Sequence, residues 1–117
     1  MKDDRVYLRH IIECLDAIGQ YVADGRDAFF DDRKTRKAAL RELQELAEST
    51  QRLSVPIKAR YPAIPWRAIA GFRNVLVHDY LGLSLGRIWE VVENDLPPLR
   101  AAVDSMLRDV GEGDGPA

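Results

Sequence analysis

The segment "RNVLVHDYLG", Arg73 to Gly82, puts an arginine, an asparagine, a histidine and a tyrosine into a stretch otherwise suited to a core helix. Histidine exchanges a proton near neutral pH. Arginine stays charged and offers a planar fork to phosphate oxygens. Asparagine can hold an imidazole or a ligand in place. RNA brings its own nucleophile, the 2′-hydroxyl beside each phosphate. A base, an acid and a cation therefore suffice to cleave it without a metal, with geometry and the arginine charge supplying much of the rate. Each residue also has a plainer reading. A protonated histidine is favoured at a helix C-terminus by the helix dipole. A lone arginine most often makes a surface ion pair, and a lone tyrosine most often packs with its hydroxyl in water. Spacing alone favours the plainer readings.

On a helix, Asn74 and His78 are four apart and stack on one face. Arg73, five before His78, lies about 140° round the axis. A flexible side chain bridges that gap only in part. Tyr80 falls at or beyond the helix end, because Gly82 follows closely. The polar set thus gathers at the C-terminal end of a helix. It would converge better if two copies of that helix met across a two-fold axis.

The elements that must position this set are helical. Leu8, Ile11, Ile12, Leu15, Ile18 and Val22 recur at helical spacing, with Asp3 or Asp4 as a cap and Gly25 as the stop. A second helix runs through "RKTRKAALRELQELAESTQRL". It carries a stripe of Ala39, Leu40, Leu43, Leu46, Ala47 and Leu53, and Asp31 and Asp32 stand where a cap belongs. The short join predicts antiparallel packing of these two. Pro56 opens a short helical turn, Pro62 stops it, and Pro65 suits the first turn of a helix to about His78. Ser84 is a candidate cap for a helix with Leu85, Ile88, Trp89, Val92 and Leu96 on one side. Pro97 and Pro98 then predict a kink or a break. A last helix presents Leu99, Val103, Met106 and Leu107. No β alternation and no internal repeat is present. The expectation is an all-α, up-and-down bundle, one domain over residues 1–110, with a disordered tail over 111–117. So small a bundle has apolar surface to spare for an oligomer interface.

The formal net charge is −2, which argues against a globally basic nucleic-acid binder. The distribution says more. Ser49 to His78 contains no Asp or Glu but holds Arg52, Lys58, Arg60, Arg67 and Arg73. That leaves 12 of the 17 basic residues against all 19 acidic ones elsewhere. The stretch fits an anion-binding face, with Lys58, Arg60 and Arg67 as candidate RNA contacts, although a solvated surface explains charge clustering equally well. Cys14 is the one cysteine, so a reducing, cytoplasmic compartment fits best. The N-terminus lacks the apolar run of a signal peptide, and no segment approaches a membrane span. His10 shares the flank of the first helix with Cys14 and Tyr21; two residues make no metal site, so His10 is expected at the core boundary and Cys14 in the core. Glu42, Glu45 and Glu48 are expected on a solvated face with Arg41 and Arg52. No phosphate loop, nucleophile motif or metal site is present, and no cofactor is expected.

Arg73-x-x-x-x-His78-x-Tyr80 resembles the R-x-x-x-x-H-x-Y signature of HepT-like toxins in the HEPN superfamily of helical domains. "IPWRAIAGFRNVLVHDY" and "WEVVENDLPPL" resemble the family's most typical blocks. Together these cover the second half of the bundle, and the first half agrees in helix order. The resemblance implies a two-fold homodimer with a cleft where the motif helices meet. It implies metal-independent endoribonuclease activity with Arg73 and His78 catalytic and Asn74 supporting the site. It further implies a type VII toxin–antitoxin pair, in which a minimal nucleotidyltransferase antitoxin transfers AMP to Tyr80 and silences the nuclease. The RNA substrate does not carry over. Two other functions stay open: a non-catalytic helical module that binds a nucleotide or assists a partner nucleotidyltransferase, and a purely structural dimer.

Overall fold

A computed structural model describes residues 3–110, the Tyr80 side chain excepted. The expected tail over 111–117 lies outside the described residues. Among those described, every regular element is helical, and none is long and apolar enough to cross a membrane.

Helix α1, Asp4–Tyr21, is capped by Asp3, whose carboxylate accepts the Arg5 N–H at 2.7 Å. It buries Leu8, Ile11, Leu15 and Ile18 of the stripe its spacing predicts, together with Cys14, and leaves Ile12 and Val22 only partly buried. It ends at Tyr21, before the expected stop. Gly25 instead begins a further short helix, α2, Arg26–Asp31. Its φ of 97° is a conformation that favours glycine. The sequence treats this segment as a plain join, because one turn with one buried residue carries no period. That residue, Phe29, packs on the Trp89 ring at 5.7 Å between centroids.

Helix α3, Arg33–Arg52, starts at Asp32, which accepts from the backbone N–H groups of Lys34 and Thr35 and from the Thr35 hydroxyl at 2.7 Å. Those bonds, the hydroxyl first, hold the Asp32 carboxyl below its ordinary pKa. Helices α1 and α3 run antiparallel. Asp4, at the start of α1, takes the N–H and hydroxyl of Ser54, just past the end of α3, at 2.8 and 2.7 Å. Ser54 caps α4, Val55–Ala59, in turn. The Trp66 indole then donates to the carbonyl oxygens of Lys58 and Tyr61, which seats the start of α5, Trp66–His78, against the preceding turn. Helix α3 lies between α1 and α5, and α1 also packs on the C-terminal helix.

A 3-10 turn, Tyr80–Gly82, follows α5, and Ser84 caps α6, Leu85–Glu90, as expected. The kink or break predicted at Pro97 and Pro98 takes another form. The chain widens into a π-helical turn, Val91–Asp95, and continues directly as α7, Leu96–Asp109. The Leu96 N–H reaches back five residues to the Val91 carbonyl. Both prolines fall in the first turn of α7, where their missing N–H groups cost little. The extra residue per turn also shifts register: Val91 is buried, and Val92 only partly so.

Candidate active site

Helix α5 carries the motif, and its C-terminal end shapes the site. The Asp79 N–H closes the last turn on the Val75 carbonyl at 2.8 Å, so His78 is the final helical residue. The Gly82 N–H bonds the Asp79 carbonyl at 3.0 Å, which folds the Tyr80 backbone back beneath the helix end. A Cβ at Gly82 would come within 2.8 Å of the Asp79 carboxylate, so glycine lets this turn close tightly.

His78 is exposed and has no hydrogen-bond or ion-pair partner among the described residues. Arg73 is held differently. Its guanidinium turns onto α3, with Nη2 at 3.5 Å from Glu48 Oε1 and Nη1 at 3.3 Å from Asn74 Oδ1. Its Nε is buried without a partner. An arginine so placed has donors to spare and a long, weak ion pair that a phosphate could displace. Glu48, expected on a solvated face, is therefore the partner of Arg73. No bond joins Arg73 to His78 among the described residues, in keeping with their poor convergence on one helix. The Tyr80 side chain lies outside the described part of the structure.

The candidate RNA contacts separate. Lys58 and Arg67 share a shallow pocket of about 220 Å³ with Trp66, Gln51 and Thr50. Arg60 instead pairs with Asp109 at 3.2 Å, beside the Tyr61 hydroxyl that donates to the same carboxylate at 2.7 Å.

The family model for Ribonuclease HepT-like proteins matches residues 11–106, which include all of α3, α5 and the motif. The chain belongs to the HepT-like ribonuclease family. It is 32% identical over 110 residues to a Methanocaldococcus jannaschii protein designated a candidate RNase, covering 93% of this chain and 91% of that one. It is 30% identical over 103 residues to the "Probable ribonuclease HepT" of Thermococcus cleftensis, covering 87% and 94%. A second Methanocaldococcus jannaschii protein, designated a gamma-glutamylcyclotransferase and candidate RNase, is 32% identical over 110 residues; the chain spans half its length. No solved structure matches the chain significantly. Family membership supports ribonuclease activity.

A second polar cluster lies between α1 and α3. Cys14 is in the core, as expected, and burial first, then the Glu42 carboxylate, push its thiol up to about 12. His10 is more than a boundary residue. Its Nδ1 is 2.8 Å from Ser49 Oγ, and its Nε2 is 3.2 Å from Glu45 Oε1 and 3.7 Å from Cys14 Sγ. Sequence spacing placed only His10 and Cys14 together, because Glu45 and Ser49 arrive from the opposing helix.

Proposed function

We propose that the chain is a metal-independent endoribonuclease toxin of the HEPN type, assembled as a homodimer and silenced by AMP transfer to Tyr80 from a nucleotidyltransferase antitoxin. The observation that carries this reading is the pair at the end of α5: an exposed His78 with no partner among the described residues, and an arginine five residues earlier held only by a long 3.5 Å ion pair to Glu48 and a 3.3 Å bond to Asn74. In the reaction His78 removes the proton of a 2′-hydroxyl. The freed oxygen attacks the adjacent phosphorus, the bond from phosphorus to the 5′-oxygen breaks, and that oxygen takes a proton from water, giving a 2′,3′-cyclic phosphate and a free 5′-hydroxyl. Arg73 stabilises charge building on the phosphate, and the phosphate takes the place of Glu48 beside its guanidinium. Asn74 steadies the arginine through its amide oxygen. Lys58 and Arg67 supply phosphate contacts next to Trp66.

The composite dimer site draws support from exposed apolar groups around the motif. Leu81 is 86% exposed and Val75 is 37% exposed, on either side of His78. A second copy covering them would bring both motif helices to one groove. The decisive experiment is cleavage of RNA by the purified chain in EDTA, with analysis of the product ends. Cleavage that persists and leaves a cyclic phosphate supports the reading. Cleavage that vanishes on chelation and returns with Mg²⁺ overturns the mechanism. Tight nucleotide binding without any cleavage would favour the non-catalytic module.

A further inference from the structure

His10 and Cys14 are one turn apart on α1, and Glu45 faces them from α3. Their ligand atoms all lie within 4.8 Å of one another. Tetrahedral zinc with ordinary bond lengths requires edges of about 3.3 Å between nitrogen and oxygen and about 3.6 Å between nitrogen and sulfur. Two of the three edges match, 3.2 Å for His10 Nε2 to Glu45 Oε1 and 3.7 Å for His10 Nε2 to Cys14 Sγ, and the third, between Cys14 Sγ and the Glu45 carboxylate, lies within 4.8 Å.

The surroundings are built as a metal site's are. Ser49 Oγ, 2.8 Å from His10 Nδ1, can accept its proton and so leave Nε2 as the ligating nitrogen. Arg41 Nε holds the other oxygen of Glu45 at 2.8 Å. A polar pocket of about 420 Å³, lined by His10, Glu45, Glu48 and Ser49 together with Arg41 and Arg52, opens His10 and Glu45 to solvent and leaves room for a water as fourth ligand. One thiolate and one carboxylate balance the divalent charge within the ligand set itself, while Glu42 beside Cys14 and Glu48 in the pocket stand against the two arginines.

We propose that His10, Cys14 and Glu45 form a zinc site that clamps α1 to α3, with water in the fourth position. On binding, the S–Zn bond forms as the Cys14 thiol proton passes to solvent, while Glu45 enters as the carboxylate and His10 as the neutral imidazole. Nothing is oxidised or reduced. Glu48, the ion-pair partner of Arg73, lines the same pocket, but Arg73 and His78 are not among the three ligands, and the proposal does not rest on the ribonuclease reading.

The test uses the full chain without a histidine tag, stripped of metal, titrated with Zn²⁺ against a chromophoric chelator and separately with Co²⁺. The expected result is one Zn²⁺ per chain, with micromolar or tighter affinity and a higher melting temperature. The cobalt form should show a near-ultraviolet thiolate charge-transfer band and the intense visible bands of four-coordination. Because the chain has one cysteine, that band identifies Cys14 even if Cys14→Ser fails to fold. Ser49→Ala should weaken binding about tenfold, as loss of an outer-shell partner does. His10→Gln and Glu45→Gln, both at half-exposed positions, should weaken it at least as much. The proposal is overturned if binding does not saturate, if the cobalt form lacks the charge-transfer band, or if His10→Gln and Glu45→Gln bind zinc like the wild type.

Discussion

His78 and Arg73 make different demands on the same helix. The imidazole is exposed at the last turn and has no partner among the described residues, while the guanidinium lies across α3 against Glu48. A positioned acid–base is worth about 10² to 10⁴ in rate, so His78→Ala should lower RNA cleavage by that factor with the helical signal unchanged. Arg73→Ala should do comparable damage. Single-turnover cleavage by folded variants checks both, and near-wild-type rates would remove these residues from the site. Under the proposed function Tyr80 is the regulatory residue. An AMP group two residues beyond His78 would bring a phosphate to compete for Arg73 and a nucleotide to block the RNA backbone. Incubation with the partner nucleotidyltransferase and ATP should add an AMP-sized mass to the wild type and none to Tyr80→Phe, which should retain cleavage. An equal increment on both proteins would make Tyr80 a bystander.

Caps and register act at the level of elements. Asp32 starts α3, the helix that carries both Glu45 and Glu48, so Asp32→Ala should lower the melting temperature. Its folded-state pKa is depressed, so the ionised cap stabilises the fold at pH above its ordinary value of 3.8. That contribution is lost as pH falls through the depressed folded value. Melting curves of wild type and Asp32→Ala should therefore converge in acid, and a gap independent of pH would assign the effect elsewhere. The π-helical turn has its own signature. It buries Val91 and leaves Val92 partly exposed, so Val91→Ala should cost about 2 kcal/mol in urea unfolding and Val92→Ala clearly less. The reverse order would mean that the helix runs through Pro97 in the ordinary register.

At the scale of the whole molecule, the proposed homodimer would make the end of one α5 half of a cleft. Exposed Leu81 and Val75 flank it, and a two-fold partner would cover both. The chain is expected to sediment as a dimer at micromolar concentration. Leu81→Asp places a charge where that partner packs, so it should shift the protein to monomer and depress cleavage together. Since Leu81 is exposed, the isolated fold should survive the change. A monomeric variant that cleaves RNA at the wild-type rate would rule out a composite site.

Local chemistry determined much of this in advance. Asp3, Asp32, Ser54 and Ser84 occupy helix starts because a short side-chain oxygen satisfies backbone donors within three residues, a relation visible in sequence. Four buried residues of α1 follow from a period of 3.6 in the same way, and the start of α5 from Pro65, whose missing N–H suits a first turn. The motif from Arg73 to Tyr80 was legible because it lies on one short segment. Other features needed the tertiary structure. Arg73 meets Glu48 across 25 residues, and His10 meets Ser49 across 39, separations that leave no periodic trace. Gly25 looked like a stop because a glycine after a helix has that use most often, yet α2 forms behind it once Phe29 can pack on Trp89. Two adjacent prolines signal disruption locally. Whether the chain breaks or widens into a π turn depends on which of Val91 and Val92 the surrounding core takes in, and that was decided only by the packing of the whole.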